Sequence, residues 1–219
     1  ADVPLRTRLD LPNGTALFMP AHVAGDFAIK IVNIFPDQSP MISATVLVMD
    51  AQTGKTLALL DGEVLTAIRT GAGGGASADI LANPDSSRVA IIGSGVQARS
   101  GLEAVCAVRD IKEVRVFSRN RANAERFSAE MAGQGAIPEN VQAVDNVAQA
   151  VENADIVYCA TTSSVPVFDG NLLKKGAHVI GVGSYTPQMQ EVDATTVKNA
   201  LVVVDSRESA LAEAGDLLV

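Results

Sequence analysis

The chain is predicted to be α/β: a doubly wound, Rossmann parallel sheet preceded by a smaller β-rich domain. Three observations predict this. The first third consists of short β-favouring runs separated by Pro- and Asp-bearing turns. From Ser87 onward, apolar strand-like runs alternate with helical patterns. Between the first of those strands and its helix stands a glycine-rich turn, Gly93-Ser94-Gly95-Val96-Gln97-Ala98. Of 219 residues, 47% are hydrophobic and only 4% aromatic. That is enough apolar surface for a packed core, and it excludes a disordered chain.

In order, Thr15 to Met19, Phe27 to Ile34 and Ser43 to Met49 read as strands. Asp50-Ala51-Gln52-Thr53-Gly54 is a turn that pairs Val46–Met49 with Thr56–Leu60 as a hairpin. Asp61 then caps a helix reaching about Leu81, with Glu63 in its first turn. Gly71, Gly73, Gly74 and Gly75 interrupt that helix, each costing up to about 1 kcal/mol against Ala. Such a cluster implies that another backbone, or a cofactor, comes very near. Asn83-Pro84-Asp85 is the natural cut, giving domains 1–83 and 84–219. Beyond it, strands are expected at Arg88–Ile92, Glu113–Phe117, Val141–Val144, Asp155–Ala160, His178–Val182 and Ala200–Val204. Helices fit at Val96–Val108, Arg121–Met131 and Asn146–Glu152, with a short one near Asn171–Lys174. These strands are brief and apolar, as in a parallel sheet covered on both faces.

The glycine-rich turn follows a strand and opens a helix, the context that makes it a dinucleotide fingerprint. Gly93 permits the tight turn, Gly95 lets the backbone approach a pyrophosphate, and Ala98 keeps helix and strand close. Free N–H groups at the helix start would hold the phosphates, aided by the helix dipole. An NAD-selective site ends its second strand, roughly 20 residues on, with Asp or Glu for the ribose 2′-hydroxyl. Here that position reads Ser118-Arg119-Asn120-Arg121, without a carboxylate. Arg119 can pair with a 2′-phosphate, helped by Ser118 and Arg121, so NADPH is preferred and NADH possible.

Composition removes other classes. With 17 basic and 25 acidic residues the net charge is -8, which argues against electrostatic nucleic-acid binding. No apolar run is long enough to span a membrane, Ala200 to Val204 being among the longest. Cys106 and Cys159 lack metal-like spacing and read as buried, reduced thiols of a cytoplasmic protein. Gly54-Lys55-Thr56 resembles the end of a P-loop, but Met49 stands where its first glycine belongs. Neither Tyr158 nor Tyr185 has a lysine four residues on, as a short-chain dehydrogenase needs. His22 and His178 have no zinc-spaced partners, so no metal is expected. The start at Ala1 and the stop at Val219, just after a helical pattern, suggest a fragment of a longer protein.

Taken together, Asp61-Gly62 with Arg69-Thr70, the Gly93–Ala98 turn, Ser118-Arg119-Asn120, Gly176-Ala177-His178 with Val182-Gly183, and Asp205-Ser206 with Ala214-Gly215-Asp216 resemble the ornithine cyclodeaminase/mu-crystallin family, in the family's order and over essentially the whole chain. The resemblance implies a homodimer, made through a β-rich substrate-binding and dimerisation domain truncated at its N-terminus, with a Rossmann domain lacking its C-terminal segment. It also implies that Arg6, Lys30 and Arg69 grip a substrate carboxylate. Lys30, which interrupts an apolar strand, could also donate a proton, and Arg69 shares the catalytic assignment. Cofactor contacts carried over fall on Thr45, Arg69, Thr70, Val96, Gln97, Thr161, Val179, Ile180, Gly181 and Val182.

One departure decides the expected reaction. Cyclodeaminases carry an acid/base Asp after the Val-Gly-Gly turn, where this chain reads Val182-Gly183-Ser184-Tyr185-Thr186-Pro187 and places Tyr185. A second acidic position is taken by Leu17. A site without those carboxylates suits a one-way reduction, and the variant looks like that of ketimine or Δ1-pyrroline-2-carboxylate reductases. The resemblance thus implies an NAD(P)H-dependent reductase of small cyclic imino acids, giving L-proline or a similar product. Ornithine cyclodeaminase, alanine dehydrogenase and a non-catalytic mu-crystallin-like binding protein are the alternatives.

Overall fold

A computed structural model describes residues 2–39 and 41–218; Ala1 and Val219, the ends of the two expected domains, lie outside the described residues, as does Pro40. The chain forms two compact units, 1–68 and 69–219.

The first unit is a five-stranded antiparallel meander, β1 (Thr7–Leu11), β2 (Gly14–Val23), β3 (Asp26–Ile34), β4 (Ile42–Asp50) and β5 (Thr56–Asp61), in that spatial order. Ala24 and Gly25, both at positive φ (53° and 102°), make the two-residue turn between β2 and β3, the twist such hairpins favour. Asp50 builds the next hairpin turn, its carboxylate accepting the amides of Gln52 and Thr53 at 3.0 and 2.6 Å. Strand β1 was not expected, because Thr7–Leu11 alternates charged and apolar residues in a short exposed stretch. Its pairing with β2 supplies what its composition does not.

The second unit holds the parallel sheet, β6 (Arg88–Ile92), β7 (Glu113–Phe117), β8 (Val141–Ala143), β9 (Ile156–Cys159) and β10 (His178–Gly181), in the order β10-β9-β6-β7-β8. Its helices are α2 (Val96–Val108), α3 (Arg121–Met131), α4 (Val147–Val151), α5 (Ala194–Asn199) and α6 (Arg207–Glu213), with 3₁₀ turns at Gly170–Leu172, near the short helix expected there, and at Gly215–Leu217. Core side chains pack on both faces of the sheet, one set including Val89, Ile91, Leu102, Phe127 and Tyr158, the other Ala90, Ile92, Val157 and Cys159. Both cysteines are free and buried. Burial pushes the Cys106 thiol up to about 12, and Cys159 well above its ordinary value, with Glu191 and Asp216 adding to the effect.

Helix α1 (Gly62–Leu81) runs from the first unit into the second, and the division falls within it, at 68/69, ahead of Asn83-Pro84-Asp85. Its glycine cluster explains why the second half belongs to the parallel-sheet unit. A Cβ on Gly71 would stand 2.4 Å from the Ser100 carbonyl oxygen, one on Gly75 2.9 Å from the Ala104 Cβ, and one on Gly74 2.6 Å from the Tyr158 ring. The close neighbours are therefore the α2 backbone and an aromatic ring.

The expected strand Ala200–Val204 does not form. Residues 201–204 join no ladder, and Leu201 is 89% exposed. An apolar run becomes a strand only beside a neighbour offering N–H and C=O groups, and β10, outermost on its side, gains no further partner among the described residues. No helix among the described residues is long and apolar enough to cross a membrane.

Asp155, just ahead of β9, accepts the amides of Ser87 and Arg88 at 2.9 and 2.8 Å and pairs with Lys174. Desolvation alone would raise its pKa; the bonds from Lys174, Ser87 and Arg88 outweigh it, so the carboxyl titrates below its ordinary value. Its contribution is therefore present above the unfolded pKa and lost as pH falls through the folded one. Asp155→Ala is expected to cost about 2 kcal/mol at pH 7, chiefly by stranding the two amides. The gap from the parent should shrink as pH falls below the ordinary aspartate range, and urea unfolding at neutral and acid pH checks this.

Candidate active site

The predicted residues fall into two sets, one per unit. In the first unit, Lys30 sits mid-strand in β3, opposite Met19 of β2 and Val46 of β4. Thr7, the first residue of β1, faces Phe18, and Arg6 immediately precedes that strand. Cross-strand neighbours share a face, which puts Lys30 on one side of the sheet with Met19 and Val46. Leu17, opposite Arg8 and Val32, lies on that face and is buried. Thr45 is exposed and, by alternation, points to the other face, opposite Ile31 and Asp61.

In the second unit, the predicted positions gather at the carboxyl ends of the strands. The sheet order reverses between β6 and β9, the switch point where open α/β sheets bind ligands. Gly93 follows β6 with φ +110°, and a Cβ there would stand 2.3 Å from the Ala160 carbonyl oxygen. Only glycine fits both conditions. Gly95 caps α2 without a side-chain bond, and no atom lies within 4 Å of the place its Cβ would occupy. The first helical acceptor, Gly95 O, bonds Ala98 and Arg99, leaving the N–H groups of Val96 and Gln97 ahead of the ladder. Gln97 Oε1 and Thr70 Oγ1 are enclosed without a hydrogen-bond partner among the described residues. An open glycine cradle, unused amides and the unpartnered Thr70 hydroxyl, a donor, fit a dinucleotide pyrophosphate.

The end of β7 is more differentiated than its sequence. Ser118 Oγ accepts from Ser94 Oγ at 3.1 Å, tying the second strand to the glycine turn. Asn120 is engaged at the start of α3, its side chain accepting the Ala122 amide at 3.0 Å. Arg121 is held by Glu125 and Asp145. Arg119 is exposed and forms no ion pair among the described residues.

Arg69, on α1, is solvent-accessible. Surrounding protein draws its guanidinium pKa down, while Asp205 and Tyr158 push it back up; it stays charged. Within the run Val179–Val182, both of the first two residues lie in β10: Ile180 is buried in the core on one face of the sheet and Val179 packs against the core on the other. Gly181 and Val182 reach the strand end.

Glu191 is a site feature that the sequence did not single out. It is fully buried. One carboxylate oxygen accepts the Thr161 amide and the other the Gly183 amide, both at 2.5 Å. Burial pushes its carboxyl above the ordinary glutamate value, the Thr161 and Gly183 bonds oppose that rise, and Asp216 adds to it. Asp216 in turn accepts the backbone amides of Glu191 and Val192 at 2.6 and 2.9 Å. Nothing in the spacing around Pro187-Gln188-Met189-Gln190-Glu191 marks this role.

A two-unit chain with an antiparallel sheet and a dinucleotide-type parallel sheet belongs to the α/β, NAD-binding class of folds. Within that class it is a member of the ornithine cyclodeaminase/mu-crystallin family, whose sequence profile matches residues 2–219. It is 40% identical over 225 residues to a Δ1-pyrroline-2-carboxylate reductase of Bacillus cereus, covering 99% of this chain and 68% of the relative. The structure of the Thermococcus litoralis Δ1-pyrroline-2-carboxylate reductase in complex with NADH and L-proline aligns with TM-score 0.93 at 38% identity, over 99% of this chain and 69% of that one. An archaeal alanine dehydrogenase dimer with bound NAD aligns with TM-score 0.91 at 31% identity, over 97% of this chain and 66% of that one.

Proposed function

We propose that the protein is an NAD(P)H-dependent reductase of small cyclic imino acids, of the Δ1-pyrroline-2-carboxylate or ketimine type. The observation that carries this reading is the likeness, over 99% of the chain, to the enzyme described with NADH and L-proline. When bound, the reduced nicotinamide supplies the hydride that reaches the imine carbon. The chain supplies the rest: Arg6, Lys30 and Arg69 hold the substrate carboxylate. Lys30 is also the proton source for the imine nitrogen, so that C=N becomes CH–NH and the product is L-proline or its ring homologue.

Arg119 at the end of β7, with no carboxylate beside it, supports a preference for NADPH with NADH also used. A homodimer is supported by the archaeal dimer and by the first unit's apolar surface, where Leu59 on edge strand β5 is 70% exposed and Val64 and Ile68 on α1 are each 61% exposed. Two buried free thiols suit a reducing, cytoplasmic setting.

The test is spectrophotometric, on the full-length protein. Nicotinamide oxidation is followed with Δ1-pyrroline-2-carboxylate, then with pyruvate plus ammonia, and the reverse change with ornithine plus NAD. The imine is expected to turn over fastest, and NADPH to give a higher kcat/KM than NADH. The alanine dehydrogenase reading, favoured by the 31% identical structure, predicts pyruvate plus ammonia instead. The cyclodeaminase reading, which Tyr185 disfavours, predicts ornithine. No turnover of any of these would leave the non-catalytic binding role.

A further inference from the structure

We propose that Glu191 is a positioning residue for the nicotinamide half of the bound dinucleotide, tying the loop after β9 to the loop after β10. The inference rests on the reading of the parallel-sheet unit as a dinucleotide site and goes beyond it. In a doubly wound sheet, one mononucleotide half lies over the strands on each side of the switch point. The glycine turn after β6 and the Ser118–Arg119 end of β7 serve the adenosine side. Strands β9 and β10 lie on the other side, and their ends, Thr161 and Gly183, are the residues whose amides Glu191 holds.

The geometry leaves no slack. A Cβ on Gly183 would meet the Thr161 carbonyl oxygen at 2.1 Å and the Glu191 Cδ at 2.6 Å, so both loop backbones and the carboxylate are in direct contact. Each of the two amides has its own oxygen, which only a carboxylate provides; an amide side chain keeps one acceptor and turns an N–H toward the other donor. Asp216, next to Gly215 in the last 3₁₀ turn, fixes the Glu191 backbone in its turn. A Cβ on Gly215 would stand 1.9 Å from the Met189 carbonyl oxygen, which keeps this turn seated on the 187–189 loop. The floor of the nicotinamide side is thus set by a chain of backbone-directed carboxylates.

The test compares Glu191→Gln with the parent in the full-length protein, using NADH and adenosine diphosphate as separate probes. The expected result is an NADH dissociation constant raised about tenfold, an unchanged constant for adenosine diphosphate, and loss of hydrogen-exchange protection at the Thr161 and Gly183 amides. Asp216→Ala should give the same pattern at about threefold, and it decides the question should Glu191→Gln not fold. Equal NADH affinity in variant and parent, equal losses for both probes, or retained protection of the two amides would each overturn the inference. A parent that binds neither probe would overturn the dinucleotide reading itself, a result distinct from any of these.

Discussion

Replacing Lys30 with alanine is expected to lower kcat/KM for the cyclic imine by about 10³-fold or more, while the NADPH dissociation constant stays within about twofold. Lys30 stands mid-strand between Met19 and Val46, on a face it shares with buried Leu17. An ammonium is held there at a cost in hydration that an apolar residue would not incur. Two losses combine in the variant. A charge-assisted bond to the carboxylate is worth roughly 1.5–3 kcal/mol, and a positioned proton donor contributes about 10²- to 10⁴-fold. The Gly93–Ala98 turn lies in the other unit, so cofactor titration by fluorescence should separate the two effects. Unchanged turnover would remove Lys30 from the mechanism.

The second large effect is expected from Gly93→Ala. At φ +110° an L-residue is strained whatever space surrounds it, and here the new methyl meets the Ala160 carbonyl oxygen at 2.3 Å. That oxygen belongs to the backbone leaving β9, so relief requires displacing the very loop that ends in Thr161. Strain of about 1–3 kcal/mol plus the overlap should destabilise the parallel-sheet unit by about 3 kcal/mol or more. The turn would no longer present the Val96 and Gln97 amides, and NADH binding should fall at least about tenfold. Urea unfolding and NADH titration check the two consequences independently; a variant matching the parent in both would show that the turn tolerates a side chain.

Much of this architecture was legible because its causes are local. The Gly93–Ala98 turn declares a positive φ and a close approach in residue types alone, and the alternation after Ser87 follows from strands buried on both faces. The cluster from Gly71 to Gly75 announced a near neighbour without saying which; Ser100, Ala104 and Tyr158 answer that only in three dimensions. Ala200–Val204 misled because apolarity measures what a segment would bury, not whether a ladder partner stands beside it. Asn120 stands in the cofactor-binding segment Ser118-Arg119-Asn120, and its side chain also caps α3, a local use that spacing does not reveal. Glu191 was illegible for a deeper reason: its partners are main-chain amides contributed by two separate loops, and main-chain groups carry no letter in a sequence.

Both thiols of the chain, Cys106 and Cys159, are enclosed within the parallel-sheet unit, and the antiparallel unit has none. An alkylating reagent attacks thiolate, so the intact molecule should be almost inert to it. Modification must then wait for that unit to breathe open, and its rate becomes a clock for one half of the molecule alone. Since Cys159 is two residues ahead of Thr161, any occupant of the crevice that steadies this strand end should slow the clock.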